Sequence, residues 1–122
     1  MNVEYWAQWL KKRYPTANIV QPSVGELVAE VEPGFAVAVI EQSKPHFHMK
    51  TMEEYRIISG RLAVVVAGAV TLIAKDENLR FQLKYIEIPS RNVHFAMTIG
   101  EGPAVVEVIS HPAWTKEDHF EV

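Results

Sequence analysis

The sequence contains no cysteine among its 122 residues. This excludes disulfide bonds, thiolate metal sites and cysteine nucleophiles, so any metal ion must be held by histidine, aspartate, glutamate or water. Histidine itself is scarce, at five residues. Candidate metal ligands are therefore few, and each position can be weighed separately.

Long hydrophobic runs and clusters of positive charge are also missing. The longest uncharged apolar stretch, residues 62–74, is too short for a membrane-spanning helix and is rich in β-branched residues. Near the N-terminus, positive charge follows the apolar residues instead of preceding them as in a signal peptide. The net charge is −3, and the longest basic run is Lys11-Lys12-Arg13. We therefore expect a cytoplasmic protein that binds neither nucleic acid nor a membrane.

One helix is predicted near the start of the chain, at about residues 3–13. Asn2 can cap its N-terminus, basic residues suit its C-terminal end, and Tyr14-Pro15 stops it. Apolar residues recur at helical spacing, namely Val3, Tyr5, Trp6, Trp9 and Leu10. We expect this aromatic stripe to pack on the rest of the fold or on a partner subunit.

The remaining chain consists of short segments rich in valine, isoleucine and aromatic residues, separated by turn residues such as those at 75–78. Within the apolar run, Gly68 predicts a bulge or a sharp bend. The predicted strands are 27–31, 35–41, 55–59, 62–66, 69–74, 79–83, 85–88, 95–98 and 104–110. Such a series is typical of an all-β sandwich or barrel. The length fits one domain, residues 1–122, with a barrel at about 24–112 and a tail at 113–122 lying over it.

The first segment of chemical interest contains His46-Phe47-His48 followed by Glu53. Residues two apart on a strand point to the same face, so both imidazoles can enter one cavity while Phe47 turns away. Because Glu53 is an odd number of residues from His48, a tight turn at about residues 49–52 is required. Tyr55 would then share the face of Glu53.

The second segment ends a strand at Pro89, makes a short turn and opens the next strand at His94. Taken singly, each histidine or glutamate is more often an exposed or structural residue than a ligand. Together, in an all-β chain, three imidazoles and one carboxylate suit a borderline divalent metal ion and leave open positions for water or substrate.

These two segments resemble the two sequence motifs of the cupin superfamily. His46, His48, Glu53 and Gly60 meet every spacing of the first motif. The second motif is less complete: Pro89 and His94 match, but Arg91 replaces a glycine and Thr98 an asparagine. Ile40 and Leu83 also stand where the motifs usually open with glycine.

The resemblance implies a double-stranded β-helix, the cupin jelly-roll barrel, over about residues 24–112. By the family's pattern, His46, His48, Glu53 and His94 would hold one divalent ion such as Zn, Mn, Fe, Co, Ni or Cu. Arg91 at a glycine position predicts a wider turn or a strained backbone. The family also implies a homodimer, for which residues 3–10, 37–40 and 64–66 would supply apolar surface.

The rest of the cavity offers few polar candidates. Tyr55 is the candidate catalytic residue, although a core aromatic with its hydroxyl at the rim is an equally open interpretation. By alternation, Ala96 and Thr98 should share the face of His94. Met49 and Met52 either gate the mouth or, more often for such residues, fill gaps. His111 and His119 could act as an acid or base over the mouth, but surface positions are favoured.

Two functions follow. The first is a metal-dependent enzyme acting on a small oxygen-rich metabolite, by isomerase, dioxygenase or lyase chemistry. The alternative is a non-catalytic module that binds a small molecule or sugar, for example as a sensor. Two or more acid or base groups near the open metal positions would favour the enzyme, and a purely apolar cavity would favour the module.

Overall fold

The chain folds into two antiparallel β-sheets and one N-terminal α-helix, as seen in a computed structural model that describes residues 1–75 and 83–122. The predicted strand at 79–83 and most of the predicted turn at 75–78 lie outside these residues, although Leu83 forms an isolated bridge with Ile73. Helix α1 spans Val3–Arg13, as predicted, and its Asn2 cap accepts a hydrogen bond from the Tyr5 amide at 3.0 Å.

Eleven strands are described in chain order. Their bounds are β1 Asn18–Ser23, β2 Glu26–Glu32, β3 Phe35–Ile40, β4 His46–Phe47, β5 Met52–Ser59, β6 Arg61–Val66, β7 Ala69–Ala74, β8 Tyr85–Ile88, β9 His94–Thr98, β10 Ala104–His111 and β11 Phe120–Glu121. A six-stranded sheet has the order β1-β2-β3-β10-β5-β8, and a five-stranded sheet has the order β11-β4-β9-β6-β7. The prediction of an all-β jelly-roll fold with a short N-terminal helix is confirmed.

The apolar run at residues 62–74 is a tight hairpin between β6 and β7. Its two central residues, Ala67 and Gly68, have φ angles of 49° and 85°. Positive φ at both positions matches the right-handed twist of the flanking strands, and the register pairs Val66 with Ala69. The bend predicted at Gly68 is therefore confirmed.

Two strands beyond the predicted barrel belong to the sheets. The predicted range began at about residue 24, but β1 pairs with β2 from Asn18 onwards. Gln21-Pro22 interrupts the apolar alternation there, and an edge strand tolerates this proline because its outer N–H groups need no partner. The second strand, β11, is only two residues long, which is too short to show a pattern.

The core has two parts. One lies between the sheets and includes Leu62, Val64 and Ile73; the other lies under α1, where Leu10 is fully buried against Val37 and Val39. Burying such a leucine contributes about 1.5–3 kcal/mol. The aromatic stripe of α1 thus packs on its own sheet.

This packing changes the surface available for a homodimer. Val37, Val39 and Val64 are fully buried within the chain, so two of the three predicted dimer surfaces are largely used internally. Tyr5 on α1 remains exposed. Among the described residues, no helix is long and apolar enough to cross a membrane.

Candidate metal centre

Four buried side chains from three neighbouring segments meet inside the barrel. His46 lies on β4, His48 just after it, Glu53 on β5 and His94 at the start of β9, directly opposite His46. Their exposed fractions are 7%, 2%, 6% and 1% respectively. One potential ligand atom from each lies within 4.8 Å of all the others. The structure therefore brings together the four side chains singled out from the sequence.

A tight turn places Glu53 beside His48, as the odd spacing required. Residues 49–51 lie between β4 and β5, and their three backbone N–H groups all donate to the Asp118 carboxylate. The distances are 2.9 Å from Met49, 3.0 Å from Lys50 and 3.0 Å from Thr51. Phe47 turns away from the cavity and stacks on Phe120 with ring centroids 5.3 Å apart.

All three imidazole rings are anchored in the same way. The Nδ1 atoms of His46, His48 and His94 lie 2.7, 2.6 and 3.0 Å from the backbone carbonyl oxygens of Lys44, Asp118 and Asn92. A carbonyl only accepts hydrogen bonds, so each Nδ1 must carry the proton. In the neutral ring, Nε2 then presents a lone pair to the centre of the cluster, which is the arrangement found in metal-bound histidines.

The Nε2 atoms of His48 and His94 both approach one oxygen of Glu53, which forms a hydrogen bond with His94 only. Glu53 Oε1 lies 3.0 Å from His48 Nε2 and 3.1 Å from His94 Nε2. The first contact is close but lacks hydrogen-bond geometry, so among the described residues the buried His48 Nε2 has no hydrogen-bond partner. Three imidazole nitrogens and a carboxylate oxygen facing one another fit a divalent transition metal ion.

In the metal-free cluster, the pKa values of Glu53, His48 and His46 differ from their usual values. Burial would raise the pKa of Glu53, but His48 and His94 outweigh it and lower this pKa to about 2. Burial would likewise lower the pKa of His48, but the nearby Glu53 carboxylate raises it above its usual value. For His46, burial and the neighbouring His94 lower the pKa to about 4. Without metal, the cluster therefore keeps its carboxylate charged and His46 neutral.

A cavity of about 340 Å³ opens onto this cluster. Its walls are one face of the six-stranded sheet, the two histidines His46 and His48, and the C-terminal residues Trp114 and His119. This volume lies at the small end of the range for ligand-binding cavities. A molecule in the cavity would contact both the cluster and the sheet.

Tyr55 faces this cavity, as its shared parity with Glu53 predicted, and is 4% exposed. It also belongs to the core between the sheets. Burial and the charges of Glu53 and Glu26 raise its pKa well above the usual value. Its hydroxyl therefore keeps its proton and can donate a hydrogen bond.

Sequence analysis missed Glu26, which lies on β2 and lines the cavity. Burial and the charge of Glu53 raise its pKa to about 7. Only a weak signal in the sequence pointed to it: Glu26, Val28 and Glu30 occupy alternate positions and form one face of β2.

The expectation that His119 is a surface residue is wrong. Its ring stacks on that of His46 at a centroid distance of 4.5 Å and lines the cavity, because β11 pairs with β4 and draws the tail over the site. Burial and the neighbouring His48 lower its pKa. His111 is exposed, as expected. Met49 and Met52 are also exposed and fill no gap in the core.

The remaining sequence expectations concern local geometry. Arg91 adopts a φ of 67°, so the predicted backbone strain at this glycine position is present. Ala96 is buried on the face of His94, whereas Met97 is exposed, as the alternation predicted.

No protein-family model and no curated protein matches the sequence. Among solved structures, the nucleoside dehydratase Pac13 superimposes with a TM-score of 0.66 at 14% identity, over 89% of this chain and 87% of that chain. KdgF from Halomonas sp. superimposes with a TM-score of 0.61 at 14% identity, over 80% of this chain and 89% of KdgF. The chain has the cupin fold.

A third cupin neighbour is larger. The capsular polysaccharide assembling protein CapF from Staphylococcus aureus superimposes with a TM-score of 0.68 at 13% identity, over 87% of this chain and 34% of CapF. A variant of Streptomyces PAC13 was solved with uridine, and CapF with the inhibitor 3-isopropenyl-tropolone. At these identities, the likeness establishes the fold alone.

Proposed function

We propose that this cupin is a metal-dependent enzyme acting on a small, oxygen-rich metabolite, with His46, His48, Glu53 and His94 as the metal ligands. The observation that carries the proposal is the common anchoring of the three rings. Each Nδ1–H donates to a backbone carbonyl, which leaves three Nε2 atoms facing one carboxylate. A purely structural cluster would not require all three histidines to adopt the same tautomer, nor would it leave the buried Nε2 of His48 without a hydrogen bond.

Acid and base groups near the cluster favour an enzyme over a binding module. Tyr55, Glu26 and His119 all line the same cavity as three of the proposed ligands, His46, His48 and Glu53. A bound ion would supply Lewis-acid chemistry to a carbonyl or hydroxyl oxygen of the substrate. The Tyr55 hydroxyl, which keeps its proton, would donate to that substrate, and Glu26 can exchange a proton near neutral pH.

The cavity also limits the substrate. Its described lining contains Glu26, Glu30 and Glu32 but no lysine or arginine, which favours an uncharged metabolite over a phosphorylated one. The volume of about 340 Å³ suits a sugar or a nucleoside. The similar folds of a nucleoside dehydratase and a capsular polysaccharide assembling protein are compatible with this substrate class.

The test is elemental analysis of protein purified without a histidine tag and without added metal. Wild type should contain about one equivalent of a transition metal, and His48→Ala should lose it. The matched control, His111→Ala, changes an exposed histidine outside the cluster and should retain the metal. Iron or copper would indicate oxygen chemistry, whereas zinc or manganese would indicate isomerase or lyase chemistry. A folded wild type that also fails to bind Mn, Fe, Co, Ni, Cu or Zn on dialysis would refute the metal site.

The second candidate is the non-catalytic sugar- or small-molecule-binding module. It is favoured by the apolar part of the cavity wall, which includes Val28, Ala36, Ala38 and Val108. Tyr55→Phe separates the two candidates once a ligand is found. It removes one hydroxyl, so an enzyme should lose turnover far more than affinity, and a module should lose at most affinity.

A cytoplasmic location and a homodimer also remain proposals. Of the three surfaces predicted for pairing, the side of α1 that carries Tyr5 is exposed. Light scattering at micromolar concentration should give twice the mass of the chain, and a monomeric mass would refute the dimer.

A further inference from the structure

The C-terminal residues 115–122 form a strap that holds the segment carrying His46 and His48. Strand β11 pairs with β4, with Phe120 opposite Phe47. The chain end is fixed as well, because the Val122 amide donates to the Pro45 carbonyl at 3.2 Å. The strap is thus part of the wall around the cluster and not a loose tail.

Asp118 makes the central contacts of this strap with both of its oxygen-bearing groups. Its backbone carbonyl accepts the Nδ1–H of His48 at 2.6 Å. Its carboxylate accepts the three N–H groups of residues 49–51, at 2.9–3.0 Å. One residue therefore fixes the ring of His48 and the turn that leads to Glu53.

We propose that Asp118 is a positioning residue of the metal site, acting through His48 and Glu53. This inference rests on the proposed metal ligands. The carbonyl selects the tautomer of His48 and aims its Nε2 inward. The carboxylate makes charge-assisted hydrogen bonds, which are stronger than neutral ones, and so sets the separation of His48 from Glu53.

The perturbation is Asp118→Asn, which keeps the size of the side chain but leaves an NH₂ group facing backbone N–H donors. The matched control is Glu117→Gln, which makes the same change of charge one residue earlier on an exposed side chain. Affinity for Co²⁺ is measured by competition with a chromophoric chelator. Loss of an outer partner of a metal ligand should raise Kd roughly 10–100-fold in Asp118→Asn, and Glu117→Gln should bind as wild type does.

A second readout separates positioning from general stability. The visible absorption bands of the Co²⁺-loaded protein at saturation report the geometry of the ligands. They should shift in Asp118→Asn, whereas a residue that only anchors the chain end would lower the melting temperature and leave the bands unchanged. If Asp118→Asn is poorly folded, Asp118→Glu replaces it, since it keeps the charge and moves the carboxylate by one methylene.

The outcomes are distinguishable. Wild-type affinity and wild-type bands in the Asp118 variant would overturn the positioning role and leave the proposed function standing. A wild type that does not bind Co²⁺ or any other transition metal would overturn both. Weakened binding with shifted bands, and no change in Glu117→Gln, would support both.

Discussion

Acid should destabilise the metal-free protein through the buried ring of His46. Burial, together with the neighbouring His94, lowers the pKa of this imidazole from 6.5 to about 4. The unfolded chain binds a proton below pH 6.5 that the folded protein does not accept. Above pH 6.5 the ring is neutral in both states and the folded protein keeps its full stability. As the pH falls from 6.5 towards 4, only the unfolded chain gains the proton, and the free energy of unfolding decreases. Since each pKa unit corresponds to about 1.4 kcal/mol, the loss is about 3 kcal/mol.

Two other cavity groups act in the opposite direction, Glu26 over the same pH range and His48 above it. Glu26 has a pKa raised to about 7, so the penalty for its charge disappears as the pH falls towards 4.5. His48 has a raised pKa, so its contribution is fully present below pH 6.5 and is lost as the pH rises through the folded value. The pH dependence of the unfolding free energy therefore combines the effects of several groups. A comparison of wild type with a His46 variant isolates the effect of His46.

The assay is urea unfolding of wild type and His46→Leu at pH 7 and pH 4, with a chelator present, followed by tryptophan fluorescence. Leucine keeps an apolar side chain in place of the ring and cannot titrate. Between the two pH values, wild type should lose about 3 kcal/mol more of its unfolding free energy than His46→Leu does. His111→Leu, at an exposed site, should follow wild type. Parallel losses in wild type and His46→Leu would refute this account of the cluster.

Two further predictions concern the cavity wall and the turn before His94. Glu26→Gln should stabilise the metal-free protein at pH 8 by about 3 kcal/mol, because it removes a charge that burial and Glu53 disfavour. The gain should fall below about 1 kcal/mol at pH 5, where folded Glu26 is protonated. The exposed control is Glu101→Gln, and equal melting temperatures of Glu26→Gln and wild type at pH 8 would contradict the prediction. Arg91→Gly should stabilise the protein by about 0.5–1 kcal/mol, since glycine adopts a φ of 67° without the strain of a side chain, and a lower midpoint in urea would refute this.

The strands could be predicted where local composition and tertiary environment agree. The bounds of β7 and β8 match the prediction, and β5 differs only in starting earlier, at Met52. Along β5 and β8, more buried and more exposed residues alternate, as in a half-buried strand, whereas β7 was found from its β-branched composition. β1 was missed because Gln21-Pro22 breaks that alternation, although β1 forms a local hairpin with β2.

Most of the proposed metal ligands could be found from spacing because the geometry that unites them is local. His46 on β4 and His48 just after it turn their rings to the same side, and Glu53 follows after one turn. The strap could not be found in this way, since Asp118 reaches His48 across 70 residues. Its contacts use the backbone carbonyl of Asp118 and three backbone amides of residues 49–51, groups that nearly every residue possesses, so they leave little signature in the sequence.

Glu26 escaped prediction for a different reason, which concerns the faces of a strand. On β2, the apolar residues Leu27 and Ala29 alternate with Glu26 and Glu30, and such a pattern predicts that the glutamates face solvent. Here α1 covers the apolar face, and the glutamates point into the barrel beside the cluster. Alternation thus shows that a segment is a strand, but it does not show which face of the strand is exposed to solvent. The cavity reverses the usual assignment, because the polar face of β2 forms the wall that a substrate would contact.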